Sequence, residues 1–237
     1  MSELVEKIVL MELFSVDQLF GQEGRIYTYL NPVSYLDALN YPELFKSFDG
    51  IFADGGLLVK AIKVVYSKRI HRWSFDMGSM APIVFEHAQQ TGKSIAVIAT
   101  KQDIVERTVR ILQTKYPRLN ISYYRNGFFS SEAEQDEEAK RIVQQSPDFL
   151  IVGMGIIKQE EFLLKVKKAG FKGIGFTCGG FIHQVAQSNL KDYYPKWIND
   201  YGLRFLYRIY KEPHTRKRYA KAAFVFPVKF LIERFHY

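Results

Sequence analysis

A chain of 237 residues that is 47% hydrophobic can build one large core, which excludes wholesale disorder. A single cysteine, Cys178, excludes an internal disulfide and any cysteine-spaced zinc motif. Of the formal charge of +8, residues 191–237 carry +7 (eleven Lys/Arg, four Asp/Glu) and residues 1–190 only +1, a concentration that points to a polyanionic partner.

The opening MSELVEKIVLMELFSVDQ contains Glu3 and Glu6 and has no apolar core followed by a small-residue cleavage site. No secretory signal is therefore expected. Nor is there an uncharged apolar run of about 18 residues, the length a membrane-crossing helix needs. A cytoplasmic protein is the expectation.

In chain order, Arg25 to Leu30 and Gly50 to Ala53 read as strands, with helical spacing around Val33–Leu39 and Leu57–Tyr66. Ser94 to Ala99 is a short buried-strand run, and Asp103 to Lys115 follows with helical period. Asn120 to Tyr124 is the next strand. Ser131 to Gln145 reads as a helix, with Ser131 and Glu134 at capping-box spacing. Phe149 to Val152 ends in Gly153-Met154-Gly155, Lys158 to Lys168 is helical, and Lys172 to Thr177 closes in Cys178-Gly179-Gly180. Strands alternating with helices predict an α/β, Rossmann-like core over residues 1–190, its sheet largely parallel and flanked by helices.

From about residue 191 aromatic and basic residues interleave, and residues 191–237 are expected to form a basic, amphipathic helical appendage. Such a segment suits an anionic membrane surface or a lipid pyrophosphate. The rival is packing against the core or against a second copy in a homo-oligomer.

Ligands of open parallel sheets bind beyond the carboxyl ends of the strands. That rule selects the loops beginning at Asn31, Asp54, Gly153 and Cys178. Asp54 stands between a strand and a helix, where a carboxylate either caps the helix or does chemistry. Gly153-Met154-Gly155 has the start of a dinucleotide fingerprint, but Lys158 stands where the third glycine belongs. Its alternatives are a tight turn or close backbone approach to a phosphate. Gln159 and Glu160 can bond a sugar or base, or cap the next helix. Cys178 reads as a small buried residue, and Asp76 as a solvated or helix-capping acid. His71, His183, Asp54 and Asp76 form no metal-ligand pattern, so no metal and no cofactor are expected.

Four segments together resemble the WecG/TagA/CpsF glycosyltransferases, glycosyltransferase family 26. They are Thr28 and Asn31 in TYLN, FADG around Asp54, GMGIIKQE around Gln159, and LRFLYRIYKEPHTRKRY in the tail. The resemblance spans about residues 25 to 220. It implies a metal-independent, inverting transfer from a UDP-sugar, of N-acetylmannosamine type or a related hexose. The acceptor would be a polyprenyl-pyrophosphate-linked sugar in cell-surface polysaccharide or teichoic acid-type synthesis.

On that resemblance Asp54 is the general base, Thr28 and Asn31 lie close by, and Gln159 helps hold the donor. Gly55 leaves room beside the carboxylate and Gly153 lets a phosphate approach. Arg208, Arg216 and Arg218 would meet pyrophosphate at the inner face of the cell membrane, with no nucleic acid involved. The sequence departs from the family pattern at Ile157 (usually proline), at Ser74 (usually glycine) and at Tyr193-Tyr194-Pro195 (usually arginine-alanine-proline). Those departures leave the sugar and the acceptor open. Without the resemblance, the α/β rhythm would suit a nucleotide-binding oxidoreductase, and the tail a non-enzymatic polyanion-binding protein.

Overall fold

A computed structural model describes residues 1–190, Ile198, Tyr207, Tyr210 and residues 216–236. Six strands form one sheet: β1 (Ile26–Leu30), β2 (Gly50–Ala53), β3 (Ser94–Ala99), β4 (Asn120–Arg125), β5 (Phe149–Gly153) and β6 (Ile174–Thr177). Their order is β2-β1-β6-β5-β3-β4, and every pairing is parallel. The expected strands start and end within two residues of these bounds.

A parallel sheet covered on both faces needs near-continuous apolar strands. β2, β5 and β6 meet that requirement, every residue being buried. β4, at one edge, instead alternates exposed and half-buried positions.

Eleven described helices cover the sheet. α1 (Glu3–Met11) and α2 (Val16–Phe20) precede β1; α3 (Pro32–Ala38) and α4 (Pro42–Lys46) lead to β2; α5 (Gly56–Tyr66) and α6 (Met80–Thr91) lead to β3. Then come α7 (Gln102–Lys115), α8 (Glu132–Gln145), α9 (Lys158–Lys168), α10 (Phe181–Ser188) and α11 (Arg216–His236). Sequence periodicity had indicated α3, α5, α7, α8, α9 and a helical tail, but not α1, α2, α4, α6 or α10.

Successive strand residues face opposite ways. Tyr27, Phe52, Val97, Ile151 and Phe176 pack with Phe85 of α6 and Phe181 of α10 on one face. Ile26, Ile98, Leu150 and Val152 pack with Phe162 and Leu163 of α9 on the other. At the opposite end from the site loops, Asp49 ties these layers together. Its carboxylate accepts from the Ile26 backbone N–H (2.8 Å), Arg25 (2.7 Å) and Lys167 (2.5 Å). Burial pushes the Asp49 carboxyl up, but those donors outweigh it and the net shift is downward.

The C-terminal helix is built into the core. Phe226 and Phe230, each 1% exposed, join Tyr35, Leu58 and Ile62 in one apolar cluster. Both rings stand edge-on to Tyr35, with centroids 5.7 and 5.3 Å away. Tyr35 also donates its hydroxyl proton to Glu233, and Arg234 donates to the Val65 carbonyl. Burying two phenylalanines contributes about 1.5–3 kcal/mol each. The outward side of the same helix exposes Phe224, Val228, Leu231 and Phe235, so its second half is apolar on two sides. Among the described residues, no helix is long and apolar enough to cross a membrane.

Candidate active site

The carboxyl ends of β1, β2, β5 and β6 bring the selected loops to one edge of the sheet. The Asp54 N–H donates to the Leu30 carbonyl at 2.8 Å, continuing the strand pairing by one residue. The chain then turns sharply at Gly55, whose φ of +115° is disfavoured for a residue with a Cβ. Gly55, not Asp54, is the N-cap of α5, and it has no side chain to cap with. The acid therefore sits one position ahead of the helix. A Cβ added at Gly56 would meet nothing within 4 Å, and one at Gly55 would lie 3.8 Å from Asn31 and Pro32. Open space adjoins the carboxylate.

Asn31 fixes the neighbouring turn. Its Oδ1 accepts from the Val33 and Ser34 N–H groups at 2.9 and 3.1 Å, capping α3. That leaves the amide N–H₂ as the donor end of the side chain.

Across from these turns, Arg72 binds Asp76 at 2.7 Å and lies 3.6 Å from Asp54. The first contact is a charge-assisted hydrogen bond; the second is an ion pair without hydrogen-bond contact. Arg72 also donates to the Ser74 hydroxyl, which is 2.5 Å from Asp76. Asp76 further accepts from the Gly78 N–H at 2.9 Å. The expectation of a solvated or capping Asp76 is thus corrected: with a side chain 19% exposed, it clamps Arg72. The Trp73 N–H donates to the Ala53 carbonyl at 3.0 Å, holding this loop on the end of β2.

A second polar group is buried beneath the β1, β6 and β5 ends. Glu160, 0% exposed, accepts from the Thr28 hydroxyl (2.8 Å), the Gln159 amide (2.8 Å) and the Ile157 N–H (2.6 Å). Thr28 and Thr177 share a hydroxyl contact of 2.8 Å, and Gln159 Oε1 accepts from the Gly179 N–H at 3.1 Å. Burial raises the Glu160 carboxyl above its usual range despite these donors. Ile157, with φ +73° and ψ −57°, has the strained, positive-φ dihedrals of a γ-turn. The bond from its N–H to Glu160 holds that conformation in place.

Gly153 serves close packing. A Cβ there would lie 2.7 Å from Cys178 Sγ and 3.0 Å from the Gly179 carbonyl oxygen. Cys178 is buried and its thiol is pushed up to about 12, which keeps it protonated and unsuited to nucleophilic attack.

The structure therefore divides the residues selected from sequence. Asp54, Asn31 and Gly55 share one pair of turns. Thr28, Gln159 and Gly153 belong to the buried group or its immediate packing, with Thr28 at 0% and Gln159 at 4% exposure. Arg218 pairs with Asp37 of α3 at 2.9 Å, and Arg216 is exposed in the first turn of α11. Arg208 lies outside the described residues. Sequence reasoning did not select Arg72 or Thr177 as site residues, and it offered Glu160 only as a sugar, base or capping contact. Glu160 had a signal in its place beside Gln159; Thr177 had none, because its partner Thr28 is 149 residues away. Among the described residues, no cluster of three or more His, Cys, Asp or Glu side chains is arranged to hold a metal.

A family model described as the glycosyl transferase WecG/TagA/CpsF family matches residues 10–237. The chain belongs to this family. It is 36% identical over 208 residues to a UDP-Gal:alpha-D-GlcNAc-diphosphoundecaprenol beta-1,4-galactosyltransferase of Shigella boydii, covering 88% of this chain and 86% of that protein. It is 24% identical over 221 residues to an N-acetylglucosaminyldiphosphoundecaprenol N-acetyl-beta-D-mannosaminyltransferase of Bacillus subtilis (strain 168), covering 92% and 82%. A Staphylococcus aureus (strain NCTC 8325 / PS 47) protein of the same description is 24% identical over 168 residues, covering 71% and 63%. As a WecG/TagA/CpsF protein, this chain is a glycosyltransferase on a Rossmann-like parallel sheet.

Proposed function

We propose that this glycosyltransferase moves a hexose from a UDP-sugar to the terminal sugar of a polyprenyl-diphosphate acceptor, with inversion at the anomeric carbon. UDP-galactose is the first donor to test, because the 36% identical relative is named for it. N-acetylglucosaminyl-diphospho-undecaprenol is the first acceptor, since both relatives' names contain it. The observation that carries the reading is Asp54: a carboxylate at a strand end, 3.6 Å from Arg72, beside the space left by Gly55 and Gly56.

The chemistry follows from that placement. A sugar hydroxyl is a weak nucleophile, and Asp54 takes its proton as the new oxygen–carbon bond forms. The bond from the anomeric carbon to the β-phosphate breaks on the opposite side, and its electron pair leaves with UDP. Arg72 lies 3.6 Å from the Asp54 carboxylate. Buried Gln159 holds the Gly179 turn toward the donor by accepting its N–H, and Asn31 lies beside the acceptor hydroxyl. Arg208, Arg216 and Arg218 carry the diphosphate charge, a task for which the guanidinium fork is suited. The reaction proceeds without a metal.

Transfer takes place at the inner membrane face, where the polyprenyl acceptor resides. Exposed Phe224, Val228, Leu231 and Phe235 recur along one side of α11, with Lys217 and Lys221 exposed toward its start. That combination suits peripheral binding to an anionic bilayer.

The test is transfer by the full chain from UDP-galactose, UDP-N-acetylglucosamine and UDP-N-acetylmannosamine to that acceptor, with and without EDTA. The anomeric configuration of the product is read by NMR. Transfer from one UDP-sugar, with inversion and in EDTA, is expected. A retained configuration or loss of activity in EDTA overturns the mechanism.

A further inference from the structure

Several helix lysines of the core meet acids: Lys46 pairs with Glu3 and Glu43, Lys165 with Asp136, and Lys167 with Asp49. α5 and the loop after it are different. Between Asp54 and Asp76 the chain has five Lys/Arg and no Asp or Glu. Of these, Arg72 is committed to Asp76. Lys60, Lys63, Lys68 and Arg69 are exposed, and none of them is in an ion pair among the described residues. The near-neutral balance of residues 1–190 hides this local concentration. A helix face that merely meets water ordinarily mixes both signs.

Apolar residues complete the pattern. Leu58, Ile62 and Val65 turn α5 inward, and all three are buried. Leu57, Lys60, Ala61 and Val64 have the i, i+3, i+4, i+7 spacing of one stripe on the outward side. Leu57 is 51% exposed and Val64 78%, so two branched apolar side chains stand in water among the lysines. This face starts three residues after Asp54. At its other end the Tyr66 ring stands edge-on to Phe230 of α11, with centroids 5.5 Å apart, and the Val65 carbonyl accepts from Arg234. Exposed Leu231 and Phe235, next in sequence to those two, therefore adjoin the same surface.

We infer that the outward face of α5 is a membrane-contact surface of the catalytic core, and that its partner is an anionic lipid bilayer. Leu57 and Val64 enter the boundary between headgroups and acyl chains, while the flexible stems of Lys60 and Lys63 carry their ammonium groups to the lipid phosphates. Lys68 and Arg69 meet the same negative surface from the following loop. A bilayer fits better than nucleic acid, whose interfaces are more polar and bury little branched apolar surface. The contact also orients the molecule. It sets the Asp54 turn against the layer that holds a diphosphate-linked acceptor, which a lone C-terminal helix does not. The inference rests on the acceptor being membrane-borne, and adds the core to the α11 contact.

The test is co-sedimentation of the full chain with vesicles of mixed phosphatidylglycerol and phosphatidylcholine, and with phosphatidylcholine alone. Lys60→Gln/Lys63→Gln is expected to weaken binding to the anionic vesicles roughly tenfold or more. Leu57→Ser/Val64→Ser should weaken it at high salt too, where the charge attraction is screened. Lys101→Gln/Arg107→Gln, at α7, removes the same net charge from another face and should leave binding near wild type, because charges beyond a Debye length from the bilayer contribute little. All six positions are exposed, so melting temperatures should match wild type. Unchanged vesicle binding in the α5 variants, equal losses in the α5 and α7 variants, or a loss confined to binding of an RNA oligonucleotide each overturns the proposal. A loss in Phe224→Ser/Phe235→Ser with none in the α5 variants would overturn it and leave the α11 contact standing. Failure of the wild-type chain to use a polyprenyl-diphosphate acceptor would instead remove the acceptor reading, so the failures are distinguishable.

Discussion

After β2 the chain reads Asp54-Gly55-Gly56, and at the end of β5 it reads Gly153-Met154-Gly155. On paper the two turns are near equivalents. In space, a side chain at Gly56 would meet nothing within 4 Å, whereas one at Gly153 would lie 2.7 Å from Cys178 Sγ. One glycine borders open space; the other lets two strand ends pack. The polar chemistry divides in the same way. Beside the first turn, Asp54 is about one-third exposed and lies 3.6 Å from Arg72. Beside the second, Glu160 is 0% exposed and takes three donors. A carboxylate that must exchange protons with a substrate needs access, while one that holds loops does not. The comparison assigns chemistry to the β2 turn and scaffolding to the β5 turn.

The largest test of that division is Asp54→Asn. Loss of a general base costs about 100- to 10,000-fold in turnover, and the melting temperature should not fall. Wild-type turnover in the transfer assay would return Asp54 to a structural role. Next is Gly153→Ala, where the added methyl overpacks Cys178 and costs about 1–3 kcal/mol, read by urea unfolding. A fully stable Gly153→Ala protein would mean that this turn is as open as the first.

Glu160→Gln gives an intermediate effect with a pH signature. The folded carboxyl is raised above its unfolded value of about 4.5, so its contribution is full below that pH and declines as pH rises through the folded value. Glutamine does not titrate. The stability of Glu160→Gln relative to wild type should therefore improve from pH 4 toward neutrality, by about 1 kcal/mol or more for each unit of upward shift. A pH-independent difference would show that burial does not govern this group. Smallest is Gly56→Ala, in the first turn of α5, which should change stability by less than about 1 kcal/mol. It should nevertheless raise the substrate KM, because the methyl enters the space beside Asp54. Unchanged kinetics would mean that substrate does not use that space.

Much of the architecture was legible before any coordinates. Val97, Ile98, Leu150 and Ile151 lie in short apolar runs bounded by turn residues, and the intervening segments have helical period. Both are local signals, because backbone geometry converts spacing into faces. α6 and α10 were not read. α6 carries Pro82 in its first turn, and α10 follows directly on a double glycine, so each helix begins where the local signal says turn. The C-terminal helix was legible as basic and aromatic, but not in its docking. Phe226 and Phe230 differ from Phe224 and Phe235 only in which side α3 and α5 happen to cover.

For the site, the sequence by itself placed Asp54, Asn31 and Gly153 at strand ends and Gln159 at a helix start, and the family motifs named the chemistry. It also left Asp54 open as a helix cap, a reading that ended only when Gly55 was found at the cap position. Tertiary structure alone decided that Thr28 meets Thr177 and Glu160, that Arg72 lies between two aspartates, and that the Tyr29 hydroxyl is left unbonded. The physical reason is range. Hydrophobic period and turn chemistry act within a few residues, whereas the Thr28 contacts to Glu160 and Thr177 span 132 and 149 positions, and the second exists only once β6 has inserted between β1 and β5.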